Sequence, residues 1–184
     1  TDPNIQRPGL RVASAAETLN LDDDDIVVVV QGDEPLVHPD MIDLAIQPLL
    51  NEDDVFVSNL TAELTKEEWK DPGEIKVVCD LKMNAMYMSR APMPSIDHEE
   101  VRAKWYKQVC IMPFRWHFMK KFNHTLEPTP LELQESIEMN RAIQHGYKVR
   151  MVHSPYLSKS VDTEADRKMV EKIMRTDPIF QKYE

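Results

Sequence analysis

Apolar positions recur along this chain in two rhythms. Val12, Ala15, Ala16 and Leu19 fall at helical spacing, which predicts a helix over Arg11 to Leu19. Ile26-Val27-Val28-Val29-Val30 then run without alternation. Such a β-branched run predicts a strand covered on both faces, as in a parallel α/β sheet. Pro39 opens a second helix through Met41, Ile42 and Ala45, and Pro48 disturbs its end. Val55 to Leu60 reads as the next strand. The middle is richer in strand patterns: Ile75 to Cys79, Ala85 to Met88 and Val109 to Phe114. Trp116 to Phe122 follows as a short amphipathic helix.

The C-terminal third carries the clearest punctuation. Thr129, Pro130 and Glu132 fit an N-cap, a first helical position and the acidic member of a capping box. The apolar positions Leu131, Ile137, Ala142 and Ile143 predict one helix, ended by Gly146 in a left-handed cap. Val149 to Val152 reads as a strand. A last helix begins near Thr163, with Asp166 in the capping-box position, and runs to about Arg175. Strands alternating with helices predict an α/β fold with a Rossmann-like, mostly parallel sheet. The β-rich middle predicts a smaller antiparallel subdomain at 85–130 within a single domain spanning 1–184.

Composition narrows the functional classes. The 184 residues carry 22 Lys+Arg against 32 Asp+Glu, a formal charge of −10, which disfavours a nucleic-acid partner. No apolar run reaches the ~20 residues of a membrane span. Two cysteines, Cys79 and Cys110, make no disulfide framework, and a cytoplasmic setting is the simplest expectation. The six histidines show no metal-binding spacing. With only 4 glycines, none paired, the chain has no glycine-rich phosphate loop.

Two segments carry candidate chemistry. Gln31-Gly32-Asp33-Glu34-Pro35 follows the valine strand, at the strand end where open α/β sheets place ligands. A carboxylate there can hold a divalent cation, and Gly32 permits close backbone approach or an unusual dihedral. The alternative is a solvated turn. Val161-Asp162-Thr163 is the second segment, and Asp162 at its junction either joins Asp33 on one Mg²⁺ or is a solvated residue before an N-cap.

These segments also occur in a specific order. Gln31 to Pro35, Ile75-Lys76-Val77-Val78, Tyr87 to Pro94, Thr129 to Glu132 with Glu135-Ser136, and Val161-Asp162-Thr163 together resemble the 3-deoxy-manno-octulosonate (KDO) cytidylyltransferases, or CMP-KDO synthetases. The resemblance runs from about Arg11 to Met174. It implies a Mg²⁺-dependent transfer of CMP from CTP to a 2-keto-3-deoxy sugar acid, with release of pyrophosphate. It assigns Asp33 and Asp162 to the metal, and Gln31, Arg90, Glu132 and Gln108 to the sugar. Arg90 suits the sugar carboxylate, because guanidinium pairs with carboxylates bidentately. The bland alternatives are a surface ion pair for Arg90 and a purely capping role for Glu132. A homodimer is also implied, and Met112, Phe114, Trp116 and Phe118 are either its interface or core.

The departures from that family concentrate at the sugar side. Gln108 stands where the family carries His, Cys110 where it carries Gly, and Met112 where it carries Tyr, and Leu133 replaces an amide. Fewer polar partners imply a different or less hydroxylated sugar acid, since each unsatisfied buried polar group costs ~1–3 kcal/mol. The family's first strand and its triphosphate-gripping loop would precede Thr1. The expectation is therefore a chain that carries one side of the site.

Overall fold

A computed structural model describes residues 1–5, 7–95 and 104–182. Its elements run α1 (Pro8–Ala16), β1 (Ile26–Val30), α2 (Pro39–Asn51), β2 (Val57–Glu63), α3 (Lys66–Lys70), β3 (Lys76–Cys79), β4 (Ala85–Ser89), β5 (Tyr106–Val109), β6 (Ile111–Arg115), α4 (Trp116–His124), α5 (Pro130–Glu135), α6 (Met139–Gln144), β7 (Val149–His153) and α7 (Glu164–Met174).

The α/β class holds, but the parallel expectation does not. One sheet follows the order β1-β6-β2-β5-β3-β4, with β7 against β2. Five of its strand neighbours are antiparallel, β1–β6, β2–β6, β2–β5, β3–β5 and β3–β4. Among the described residues only β2–β7 is parallel. The valine run explains the misreading. Val27 and Val29 pack into the larger core with α1 and α4, whereas Val28 packs into a second core with Met41 and Ala45 of α2. An unalternating apolar strand thus records helices on both faces of the sheet, whatever the direction of its neighbours. β1 is nevertheless an edge strand, and its last residue, Val30, is exposed.

β3, β4 and β5 belong to this same sheet, and residues 96–103 of the 85–130 segment lie outside the described residues. Met112, Phe114, Trp116 and Phe118 are all buried in the larger core, so they are packing residues of one chain rather than an interface. Phe114, Phe118, Phe122 and Tyr147 form a ring cluster there, and burying each phenyl side chain contributes ~1.5–3 kcal/mol.

Three local expectations change in ways that shape the site. Val109 to Phe114 is not one strand: it bends at Cys110 into β5 and β6. The helix expected from Thr129 to Gly146 is two, α5 and α6, separated by Ser136 at φ 56° and ψ 46°. A non-glycine residue in that left-handed region costs ~1–3 kcal/mol. α2, in contrast, passes through Pro48 to Asn51. The cap at Gly146, with φ +80°, and the Thr163/Asp166 capping box form as expected.

Candidate active site

The ends of β1, β5 and β6 converge with the Ser136 break on a cavity of about 630 Å³. Gln31, Asp33, Arg90, Gln108 and Asp162 all line it, together with Arg7, Cys110, Met112, Ser136, Glu138 and Ser160. Five of the six residues singled out from sequence therefore share one wall system. Glu132 does not.

The two aspartates are brought together by the backbone. The Val161 N–H donates to the Asp33 carbonyl at 2.8 Å, stitching the turn after β1 to the segment before α7. Glu34 ties the same pieces from below. Its buried carboxylate accepts from Ser158 Oγ and Ser160 Oγ, each at 3.0 Å, and the Cys110 backbone amide favours its charge. Burial pushes the Glu34 carboxyl up against the pull of these donors. Asp33 Oδ1 is buried with no partner among the described residues. Such a lone pair is costly unless something outside the protein fills it.

Gly32 has no positive φ, and a side chain there would meet open space. What it leaves is room beside Asp33. Two further hollows open there. One, of about 340 Å³, runs along Val29, Val30 and Arg11, and the other, of about 860 Å³, lies against Arg167, Val170 and Met174 of α7. Both are lined by Asp33, so this residue borders three hollows.

Arg90 is held by main-chain carbonyls rather than by a carboxylate. Its Nε donates to the Glu135 carbonyl at 3.1 Å and its Nη1 to the Pro72 carbonyl at 3.2 Å. The Glu135 side chain accepts from the Arg90 N–H, Tyr87 Oη and Ser89 Oγ. Burial opposes ionisation of Glu135, but these donors and the nearby guanidinium hold its carboxyl below the usual range. The fully buried Lys76 donates to the carbonyls of Glu74 and Arg90, each at 2.9 Å, and of Asp71. The Arg90 wall is thus pinned from both sides, with its positive charge left for an anionic ligand.

Glu132 has the opposite fate. It is completely buried. Arg141 donates to it bidentately, through Nε at 2.8 Å and Nη2 at 2.5 Å, and Arg7 adds a further bond. It also accepts from the Thr129 N–H at 3.2 Å, the half of the capping box that is made, while Thr129 Oγ1 stays unpartnered.

Glu138 takes a place at the cavity that the sequence did not single out. Oε2 accepts from the Gly9 N–H at 3.3 Å, and Oε1 is buried without a partner. Burial pushes its carboxyl up, against Gly9, Arg7 and Arg141. No spacing in the sequence marks it: helical periodicity runs straight through the break at Ser136 that separates α5 from α6. Cys110 is no nucleophile: burial, then Glu34, Asp33 and Asp162, push its thiol up to about 12.

A divalent cation fits this donor set. Among the described residues no three His, Cys, Asp or Glu side chains gather as ligands. Mg²⁺ takes one or two carboxylates and keeps waters or phosphates for the rest, and the orphaned Asp33 Oδ1 supplies a ready oxygen.

The chain resembles known proteins in sequence and in fold. Residues 1–178 match the sequence profile of a family described as cytidylyltransferase. A 3-deoxy-manno-octulosonate cytidylyltransferase from Solibacter usitatus is 35% identical over 161 residues, 87% of this chain and 64% of that protein. One from Geotalea uraniireducens is 35% identical, covering 90% of this chain and 69% of its own length. The chain therefore spans about two thirds of the length of these relatives. A solved CMP-2-keto-3-deoxy-manno-octonic acid synthetase in complex with CTP superposes with a TM-score of 0.84 at 25% identity, over 94% of this chain and 69% of that one. A thymidylyltransferase from Bacillus anthracis, at TM-score 0.59 and 12% identity over 96% of this chain and 64% of its own, shares the fold.

Proposed function

This chain belongs to the cytidylyltransferase family, and from that premise we propose that it forms the sugar-acid side of a CTP-dependent cytidylyltransferase. In this reading the anomeric hydroxyl of a KDO-like sugar acid attacks the α-phosphorus of CTP. The new P–O bond forms as the bond to pyrophosphate breaks, and the hydroxyl proton leaves to solvent. The observation that carries the reading is the orphaned Oδ1 of Asp33, a residue held beside Asp162 and bordering three hollows.

Asp33 and Asp162 would hold Mg²⁺, which when bound neutralises charge on the triphosphate. Arg90, held rigidly by carbonyls, binds the sugar carboxylate. Gln31, Gln108 and the free oxygen of Glu138 meet the sugar hydroxyls. Glu132 acts one layer deeper: through Arg141 and Arg7 it holds the ground on which Glu138 stands. Met112 brings a thioether to the wall in place of a tyrosine hydroxyl, and Gln108 an amide in place of an imidazole, which favours a less hydroxylated sugar acid than KDO. A cytoplasmic homodimer belongs to the same reading.

The test is pyrophosphate release with CTP, Mg²⁺ and a panel of sugar acids, on this chain and on the full reading frame that encodes it. Turnover is expected with the full reading frame, where Asp33→Asn should lower it at least ~10²-fold with the fold intact, as for loss of a group that stabilises developing charge. Wild-type rates in that variant would remove Asp33 from the site. A preference for KDO over every relative would defeat the less hydroxylated substrate.

A further inference from the structure

Asn59 lies outside the cavity lining, yet it decides what the cavity shows. It is fully buried in β2, opposite the bend at Cys110. The bend interrupts the ladder between β2 and the β5–β6 run. The carbonyls on either side of it, Val109 and Ile111, turn to the Asn59 side chain instead: Nδ2 donates to them at 2.6 and 3.3 Å, and to the Leu60 carbonyl at 3.1 Å. Asn59 therefore splices the break.

Carbonyl oxygens only accept, so the group of Asn59 that faces these three must be its NH₂. Its Oδ1 then points the other way, at Gln108, and can only accept. Gln108 must answer with its own NH₂, and its Nε2 donates to Asn59 Oδ1 at 2.5 Å. Turning Gln108 over would set two acceptors against each other at that distance, and turning Asn59 over would set two donors there and its oxygen against the carbonyls. The Met112 thioether lies 3.7 Å from the same Gln108 nitrogen, so it backs the donor end. What remains is Gln108 Oε1. It has no partner among the described residues and is not among the sealed-off polar atoms, and Gln108 lines the cavity.

From this relay we propose that Asn59 is a positioning residue that locks the Gln108 amide with its oxygen toward the ligand, making a subsite selective for a hydrogen-bond donor. A hydroxyl or amino group of the ligand is accepted there; an ether, keto or O-methyl oxygen is rejected, because acceptor meets acceptor. The selectivity rests on the sugar-acid reading above, whereas the orientation of the amide does not.

Two measurements separate these parts. Side-chain amide NMR reads the orientation with no ligand present. The Gln108 amide protons should exchange with water about tenfold more slowly than those of the exposed Gln134, as one sound hydrogen bond requires. Asn59→Ser, too short to reach Gln108, should abolish that protection. Equal exchange for Gln108 and Gln134 in the wild type would overturn the proposal. Calorimetric binding then compares a sugar acid with its mono-O-methyl and mono-deoxy analogues on the full reading frame. About tenfold discrimination at one hydroxyl is expected in the wild type. It should be lost in Asn59→Ser and equally in Gln108→Leu, which leaves the splice in place, while CTP affinity is unchanged. A merely structural Asn59 would weaken all ligands alike, and that result would also overturn the proposal. If no sugar acid binds at all, the sugar-acid reading fails and the selectivity with it, and the exchange data still decide the orientation.

Discussion

Glu132 and Glu138 flank one left-handed residue, Ser136; Glu132 is fully buried, and Glu138 is half-buried with one carboxylate oxygen sealed from solvent. Around Glu132 every lone pair is answered: Arg141 takes both oxygens, Arg7 adds a bond, and the Thr129 N–H completes the set. Around Glu138 one oxygen meets the Gly9 N–H and the other meets nothing. The first arrangement is what a structural ion pair needs. The second, like Asp33 Oδ1, carries a cost that a ligand can relieve. The same residue type, in the same short segment, thus builds the floor in one place and the receptive surface in the other.

The largest effect should come from breaking the satisfied side. Glu132→Ala leaves the Arg141 guanidinium buried with its main counter-charge gone, at a cost of ~3–5 kcal/mol in urea unfolding. A loss under about 1 kcal/mol, the worth of one exposed ion pair, would erase the contrast.

Glu138→Gln should act oppositely. Sugar-acid affinity should fall about tenfold, as for one hydrogen bond to a charged acceptor, while stability at neutral pH holds or rises. The pH dependence follows from the raised carboxyl. Folded Glu138 keeps its proton where the unfolded chain has lost it, so the wild type's share of stability is complete below the ordinary glutamate range and drains away as pH rises. The variant's advantage over the wild type should therefore widen as pH rises from about 4, within the ordinary glutamate range, to about 7. A gap that does not move with pH would mean that the carboxylate is not under strain.

Ser136→Gly should stabilise by ~1 kcal/mol, because glycine takes φ 56° without penalty. Denaturant titration checks it, and a loss instead would show that the hydroxyl itself holds the break. The smallest contrast lies in two threonines with the same sequence signature. Thr163 Oγ1 accepts from the Asp166 N–H, so Thr163→Ala should cost ~0.5–2 kcal/mol in thermal unfolding. Thr129 Oγ1 is buried without a partner, so Thr129→Val should lie within about 0.5 kcal/mol of wild type. Equal costs at the two positions would mean that the Thr129 hydroxyl is satisfied after all.

Much of the site was legible because its residues carry local marks. Gln31 and Asp33 follow the end of an apolar strand, and Asp162 immediately precedes a capping box that forms as written. Arg90 was singled out through its motif, and the structure lines the cavity with it. Glu138 and Asn59 were not legible. The first depends on a backbone break that helical periodicity runs straight through. The second depends on a strand bend whose only trace is Cys110 inside an otherwise continuous apolar run.

By itself, the sequence determined what local chemistry determines: most of the strands and helices, where the capped helices α2, α5 and α7 begin, that β1 must be covered on two faces, and that carboxylates cluster after strand ends, whereas α1 begins at Pro8 rather than Arg11 and α3 carried no apolar pattern to mark it. The tertiary structure alone decided strand direction, the division of α5 from α6, the burial of Glu132 and the outward turn of the Gln108 oxygen. The physical reason is common to all four. Apolar periodicity reports how deeply a residue is buried but not which partner buries it, and a polar group's role is set by which of its lone pairs and protons its neighbours leave unanswered.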